Sequence, residues 1–493
     1  MIRITPLAIA TAAFLHTSAY ASVEQFFQDS TVDLKWKMNY YDIEGKGGGQ
    51  IPVTADELSA LTGMPIPVDA QADIRTEMSI KDFGTSAWVN WQSGWLFDHI
   101  GVELEYQGAG IVDQSGEFTT SASALGMTLP PMTVDNPYFY GSDANESYVG
   151  KLGNANLRLK VGDKDAETQL VIGRFTPTIY NLLHRPDEIY YGMHQVYEGA
   201  SIQGNYEWSW GMIQPWVNYF TGYSNEWNED TVDFEDDLNP SSQASSLSGR
   251  YLSGSYNEIY NIGFHTVTDY YTSSASWSYA EDYLSNGIIE IYSGIPYSFL
   301  GLGDPSQDDD YYIKYMGKYG FEKGKGVNSE HETDVWEFAM GVQHGNFDIL
   351  TGITQIGDET FAGFETQDGM TAGGGTAVWG DVAILNKFDQ AGQRTYFAVG
   401  GYNLDGWNLP GWRVQGVFAS AKDTDLTKLT LMERIQTPNK DYYEANLDII
   451  YAKNGYQGDG VSYLLKLGKD NNFDGFGFGF FVEYNGDLAK FVR

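Results

Sequence analysis

The sequence predicts an all-β chain that closes into a transmembrane antiparallel β-barrel, and three observations carry that prediction. The stretch Thr31 to Tyr40, TVDLKWKMNY, separates its faces completely: Val32, Leu34, Trp36, Met38 and Tyr40 stand against Asp33, Lys35, Lys37 and Asn39, the period of two that a strand imposes. Such alternation recurs along the chain with aromatic strand ends, at the ~9 to 11 residues a tilted membrane strand needs. Beyond Ser22 no apolar run reaches the roughly eighteen residues of a membrane helix, while 15% of residues are aromatic and 57 are glycine, a composition of strands and turns. One alternating strand would suit a soluble sandwich equally well; repetition points to the barrel.

The opening residues, MIRITPLAIATAAFLHTSAYA, combine Arg3, an apolar run from Leu7 to Leu15 and Ala19-Tyr20-Ala21 before Ser22. That is the layout of a cleavable export signal over residues 1–21, leaving residues 22–493 as one barrel domain with no break in composition. Alternation begins within ten residues of the cleavage point, so no globular plug is expected before the first strand. There is no cysteine, hence no disulfide framework. With 29 Lys+Arg against 66 Asp+Glu and a formal charge of −37, binding nucleic acid by phosphate neutralisation is excluded.

In order, a polar insertion containing Gly47-Gly48-Gly49 is followed by SAWVNWQ (Ser86 to Gln92). Val102, Leu104 and Tyr106 then oppose Glu103, Glu105 and Gln107. A Gly/Ser/Pro-rich stretch from Gly108 to about Gly150 reads as a long loop. Ala155, Leu157, Leu159 and Val161 oppose Asn156, Arg158 and Lys160, and Gly162-Asp163-Lys164-Asp165 turns the chain back through Leu170 and Ile172. Trp208 to Thr221 is strand-like, with Pro215 weakening it. Further strands read at Trp336 to Val342, Phe347 to Ile356 and Arg394 to Leu404. The turn Asp405 to Gly411 leads into a strand whose polar face holds Arg413 and Gln415, and Lys466 lies opposite Leu465 and Leu467. The acidic stretches Glu229 to Pro240 and Asp304 to Asp310 read as solvated loops, with divalent-cation contact to lipopolysaccharide as the alternative. Long and short connections tend to alternate, as when one barrel end carries short periplasmic turns and the other long external loops.

Between Gly173 and Ile202 a polar, aromatic segment leaves the sheet and returns, and loops of this length are usually functional or disordered. Arg174, His184 and Arg185 can meet an anionic or acetamido oxygen. Asp187 and Glu188 can accept from hydroxyls or cations, and Tyr180, Tyr190, Tyr191 and Tyr197 offer faces to sugar rings. For a channel, opposed charges and aromatic slides bind a solute firmly enough to enter and weakly enough to leave.

The segments FFQDSTVDLKWKMNYY, NWQSGW, GRFTPT with YEGASI, HGNFDILTGITQIG and GWNLPGW together resemble the OprD-type substrate-specific outer-membrane porins, including the chitoporin branch. The resemblance implies eighteen strands, a third external loop folded inward as a constriction, and passive uptake of small polar solutes. No cofactor, metal or covalent step is implied. The implied partners are outer-membrane lipid, lipopolysaccharide and the barrel-assembly machinery, with monomer and trimer both open. Where carboxylate-selective members carry Arg-Tyr around the LPG turn, this chain has Gly401-Tyr402 and Val417-Phe418. Lys35, Lys37, Arg158, Lys160, Arg413 and Lys466 remain as a thinned basic wall. Members end on a terminal aromatic residue, so DLAKFVR ending at Arg493 reads as a last strand cut short.

Three function classes follow. The first is a selective diffusion channel for oligosaccharides such as chitooligosaccharides, with carboxylates or basic amino acids and peptides as the runner-up. The second is a barrel-embedded hydrolase: His184 and Asp187 could join a remote serine, but no GxSxG elbow or HExxH motif is present. The third is an adhesion barrel that displays its acidic loops.

Overall fold

Within a membrane strand one face meets hydrocarbon and the other the barrel interior, so residue polarity fixes which way each side chain points. In the computed structural model, β1 (Thr31–Val53) turns Lys35, Lys37 and Asn39 inward and Val32, Leu34 and Trp36 outward. The described residues are 23–62, 64–128, 132–135, 148–163, 165–177, 193, 196–224, 232–233, 252, 256–300, 311–361, 388, 390–429, 431–453, 460–472 and 474–487.

After β1 the ring continues through β2 (Ala70–Gln92), β3 (Ile100–Ala124), β4 (Tyr148–Asp163), β5 (Ala166–Phe175), β6 (Val196–Trp208) and β7 (Gly211–Ser224). Next come β8 (Ile259–Thr268), β9 (Tyr271–Ala280), β10 (Leu284–Pro296), β11 (Tyr311–Gly324), β12 (Glu332–His344) and β13 (Phe347–Ile356). The last five are β14 (Arg394–Asn403), β15 (Trp412–Lys422), β16 (Tyr442–Ala452), β17 (Gly460–Asp470) and β18 (Phe476–Asp487). Each strand pairs antiparallel with its sequence neighbour, and β18 pairs with β1 from Asp33↔Asp487 to Glu44↔Phe476. The result is a closed barrel of eighteen strands that leaves no open edge to hydrocarbon. The expectation of a last strand cut short is therefore corrected: β18 has 12 residues and completes the ring. No described helix is long and apolar enough to cross a membrane.

Two-residue connections at 164–165, 209–210, 269–270 and 345–346 gather at one end, and the long connections after β5, β7 and β13 at the other. Exposed aromatic residues ring both ends of the outer wall, with Trp208, Tyr271 and Trp412 near the short turns and Tyr106, Tyr219, Tyr396 and Tyr443 near the long loops. Between them lie exposed Leu157, Ile202, Ile262, Phe338 and Met340. This belt and its girdles mark the membrane span. Of the acidic stretches, Asp304 to Asp310 lies entirely outside the described residues, and Glu229 to Pro240 does so except for Val232 and Asp233.

Two sequence expectations change. The glycine triplet is no insertion: β1 runs through it to Val53, and the supposed loop after Gly108 is strand as far as Ala124. Above Tyr40 the faces of β1 and β2 exchange character. Ile43, Ile51, Ile74, Met78 and Ile80 become buried inside, while Asp42, Lys46, Asp73, Glu77 and Lys81 point out. The strands have left the hydrocarbon, so their outer face meets water and their inner face meets protein. Glycine serves there because other chain comes close: a Cβ on Gly48 would lie 2.6 Å from the Ile74 carbonyl oxygen, and one on Gly49 3.1 Å from that of Pro438.

The inverted interior is a hydrophobic core joined by Leu58 of α1 (Ala55–Thr62) and by Leu426, Leu429, Leu431 and Ile435 around α2 (Leu431–Gln436). Thr54 and Glu57 cap α1 reciprocally: the Glu57 carboxylate accepts from the Thr54 N–H at 2.8 Å, and the Thr54 hydroxyl accepts from the Glu57 N–H at 3.2 Å.

Candidate functional site: the barrel interior

The inward side chains divide into two chemistries. Over β6 to β9 they are mostly amides and hydroxyls. The Ser201 hydroxyl donates to Asn218 Oδ1 at 2.5 Å, and Asn218 Nδ2 donates to Asn261 Oδ1 at 2.9 Å. Asn261 Nδ2 donates onward to the hydroxyls of Ser276 and Ser278 at 3.0 and 2.9 Å. Trp216 Nε1 donates to the same Asn261 oxygen at 2.7 Å. Register makes this chain of contacts, because Ser201↔Asn218, Asn218↔Asn261 and Asn261↔Ser278 are cross-strand partners. A related group sits on β2 to β4, where the Glu103 carboxylate accepts from Asn90, Gln92, Asn154 and Asn156 at 3.0 to 3.2 Å.

Elsewhere the wall carries opposed charges. Lys35 and Lys37 lie 4.0 and 3.8 Å from Glu483, and both ammonium groups stand over the Trp88 ring at 5.3 and 5.2 Å. Lys160 pairs with Glu167 at 3.4 Å and, with Arg158, faces the Trp95 ring. Lys466 stands 3.9 Å from Asp448, and Lys318 stands 3.8 Å from Glu290. Asp348 receives two cations, Arg413 at 2.7 Å and Lys314 at 3.5 Å. Gly401 makes the first of these contacts feasible: a Cβ there would fall 2.0 Å from Arg413 Nη2. The position vacant in the ladder pattern is filled by the guanidinium reaching across it.

The six basic wall residues expected from the sequence, Lys35, Lys37, Arg158, Lys160, Arg413 and Lys466, thus all point inward. Sequence reading missed their acidic partners Glu483, Glu167, Asp348 and Asp448, because cross-strand register is not visible in one strand's pattern. The signal was available only as acids on the polar faces of alternating segments. Further inward acids, among them Asp82, Glu105, Glu337, Glu444 and Asp470, make the acids outnumber the bases among the described residues of the wall.

Of the segment expected to form the constriction, Tyr180, His184, Arg185, Asp187, Glu188, Tyr190 and Tyr191 lie outside the described residues. Arg174 and Tyr197 are described, and the structure separates them. Arg174 shares the outward face of β5 with Ile172 and grips Glu198 of β6 at 2.7 Å while donating to the Leu152 carbonyl at 2.9 Å. It pins strand to strand on the outer wall and does not face the interior. Tyr197 points inward and is fully buried, 4.6 Å ring to ring from Phe220, in a cluster with Phe175, Tyr223, Tyr256 and Tyr283. It packs the inner wall at the long-loop end of the strands.

Because Asp348 is the shared counter-ion, Asp348→Asn leaves Arg413 and Lys314 facing the lumen. One unit charge at about 4 Å is worth about 1 kcal/mol in water-like surroundings, so anion preference is expected to rise about fivefold. The reversal potential across a salt gradient in a planar bilayer reads this directly; an unchanged ratio would show that these cations do not face the permeation path.

No family model and no curated protein matches this chain. Solved structures do. Pseudomonas aeruginosa OccK9 (OpdG) superposes with a TM-score of 0.62 at 12% identity, covering 94% of this chain and 100% of that one. The outer membrane protein OpdK of the same organism gives 0.60 at 12% identity over 94% and 100%. P. aeruginosa OccK2 (OpdF), solved in complex with glucuronate, gives 0.57 at 11% identity over 94% and 98%. The eighteen-stranded barrel expected from the OprD-type resemblance is therefore the fold of this chain, shared from end to end with these P. aeruginosa proteins.

Proposed function

We propose that the chain is a substrate-selective porin of a Gram-negative outer membrane, exported by residues 1–21, and that it passes small polar solutes by diffusion without a chemical step. Its preferred cargo is an uncharged, hydroxyl-rich solute of the chitooligosaccharide kind. The observation that carries this reading is the pairing of the inward cations Lys35, Lys37, Lys160, Lys314, Arg413 and Lys466 with acids. A carboxylate track needs a line of bases in excess, and among the described inward residues acids are in excess. The amide and hydroxyl groups of β6 to β9 are uncharged donors and acceptors of the kind that suit a sugar's polar edge.

A small carboxylate is the second reading. It is favoured by the two cations that converge on Asp348 and by the glucuronate bound to OccK2, a structure of the same fold. Lipopolysaccharide and the barrel-assembly machinery are the partners such a barrel would meet. The test is single-channel current in a planar bilayer, with chitooligosaccharides and glucuronate or benzoate added in turn. Interruptions by the sugars are expected; block by the carboxylates alone would select the second reading, and absence of any pore would overturn both.

A further inference from the structure

The outer wall carries a feature that solute passage does not use. Across β5 to β11 lies an apolar groove of about 690 Å³, with no charged side chain among its lining residues. This volume falls within the roughly 300 to 1,000 Å³ of small-molecule sites. Sequence builds it in a specific way. Gly204, Pro215, Ala275 and Gly287 place small groups on the outward face, among large neighbours that include Tyr206, Phe264, Trp277 and Phe321. Substituting the glycines would close it: a Cβ on Gly204 would lie 2.5 Å from the Tyr206 ring, and one on Gly287 2.6 Å from the Phe321 ring. Pro215 has no N–H to donate, and the pairing of β6 with β7 lapses at 204–205, resuming at Tyr206↔Ile213.

Depth identifies the occupant. The lower end, at Tyr206 and Ile213, adjoins the 209–210 turn, where Trp208 and Trp210 stack at 5.6 Å with 5° between planes. Such aromatic girdles sit at headgroup level. The groove then climbs obliquely through Ala275 to Gly287 and Phe321, so its lower part lies in the half of the bilayer next to the short turns. A flexible hydrocarbon chain anchored at the girdle can follow that oblique path, whereas the convex wall of a second barrel cannot enter it.

We propose that this groove is a binding site for one acyl chain of a phospholipid in the periplasmic leaflet. The proposal rests on the barrel spanning a membrane and is indifferent to which solute crosses it. The lipid would be held across seven consecutive strands, β5 to β11, bridging the segment where the ladder is interrupted at Pro215. It would complete the wall where side chains leave it thin.

The full-length barrel, extracted from phosphatidylethanolamine bilayers into mild detergent, would be examined by native mass spectrometry. One retained phospholipid per barrel is expected. Ala275→Trp fills the groove and should lower retention roughly tenfold, the change expected from excluding about two methylene groups. Phe338→Trp, on the outward face of β12 away from the groove, should leave it unchanged. If Ala275→Trp fails to fold, Val217→Trp fills the groove from β7. Single-channel conductance should survive both groove variants, which separates failure of this site from failure of the pore. No retained lipid in the unaltered protein, or equal retention in all variants, would overturn the proposal. So would loss of an oligomer with the lipid count unchanged, since a second copy of the chain would then be the occupant.

Discussion

Arg434→Ala is expected to loosen the external extension of β1 and β2 while leaving the membrane barrel intact. The Arg434 guanidinium on α2 donates to the Glu57 carboxylate of α1 and to the Pro52 carbonyl at the top of β1, and both charged side chains are nearly inaccessible. Glu57 also closes the cap of α1, so one carboxylate holds a helix start and a cross-loop tie together. Removing the cation leaves that carboxylate buried and uncompensated, a loss of about 3–5 kcal/mol for pairs of this kind. The core that rests on it, Ile51, Leu58, Ile74, Leu431 and Ile435, lies wholly outside the membrane belt. Hydrogen exchange should therefore accelerate in residues 51–62 and 431–436, with strands such as β12 unchanged. Uniform protection across both regions in the variant would refute the clamp.

The second large effect concerns pH. His331, between β11 and β12 on the long-loop side, is buried between two carboxylates, with Nε2 3.3 Å from Glu322 and Nδ1 2.7 Å from Glu359. Asn286 also donates to Glu322, and Lys428 approaches Glu359 at 3.5 Å. These contacts tie β10, β11 and the roots of two long loops. Burial pushes the imidazole pKa down, but the two carboxylates outweigh it and hold it above the ordinary 6.5. A raised folded-state pKa contributes stability that is fully present below the unfolded value. That contribution is lost as pH rises through the folded value. The loop roots should thus be more firmly held at pH 5.5 than at pH 8.5. Because the side chain is inaccessible and both partners are acids, His331→Ala should cost about 3 kcal/mol at the lower pH and much less at the higher. Hydrogen exchange of residues 325–332 and 357–361 at the two pH values is the measurement. A variant whose deficit is independent of pH would show that His331 acts through packing alone.

The sequence alone determined the class of fold and the orientation of its strands. In the membrane belt a residue's polarity is its direction, since hydrocarbon lies on one side and a polar interior on the other. Lys35, Lys37, Arg158, Lys160, Arg413 and Lys466 were placed inward by this rule alone. The same rule misled above Tyr40, where β1 and β2 leave the lipid and their faces reverse. It also gave no warning at Gly48 and Gly49, where glycine reflects close approach of other chain and not a break, or beyond Gly108, where the strand runs on to Ala124.

What tertiary structure decided was pairing. Arg174 was expected in the lumen for its charge and proved to be an outward tie to Glu198, because the single alternation of β5 that turns Val171 and Phe175 inward turns Arg174 out. The basic wall became a wall of opposed charges once register brought Glu483 to Lys37 and Asp348 to Arg413. Closure by β18 onto β1, the amide track on β6 to β9 and the outer groove likewise depend on which strands are neighbours. Local alternation repeats every two residues and so sets the face of each side chain. The partner across the sheet is set by register between segments far apart in sequence, which no single strand encodes.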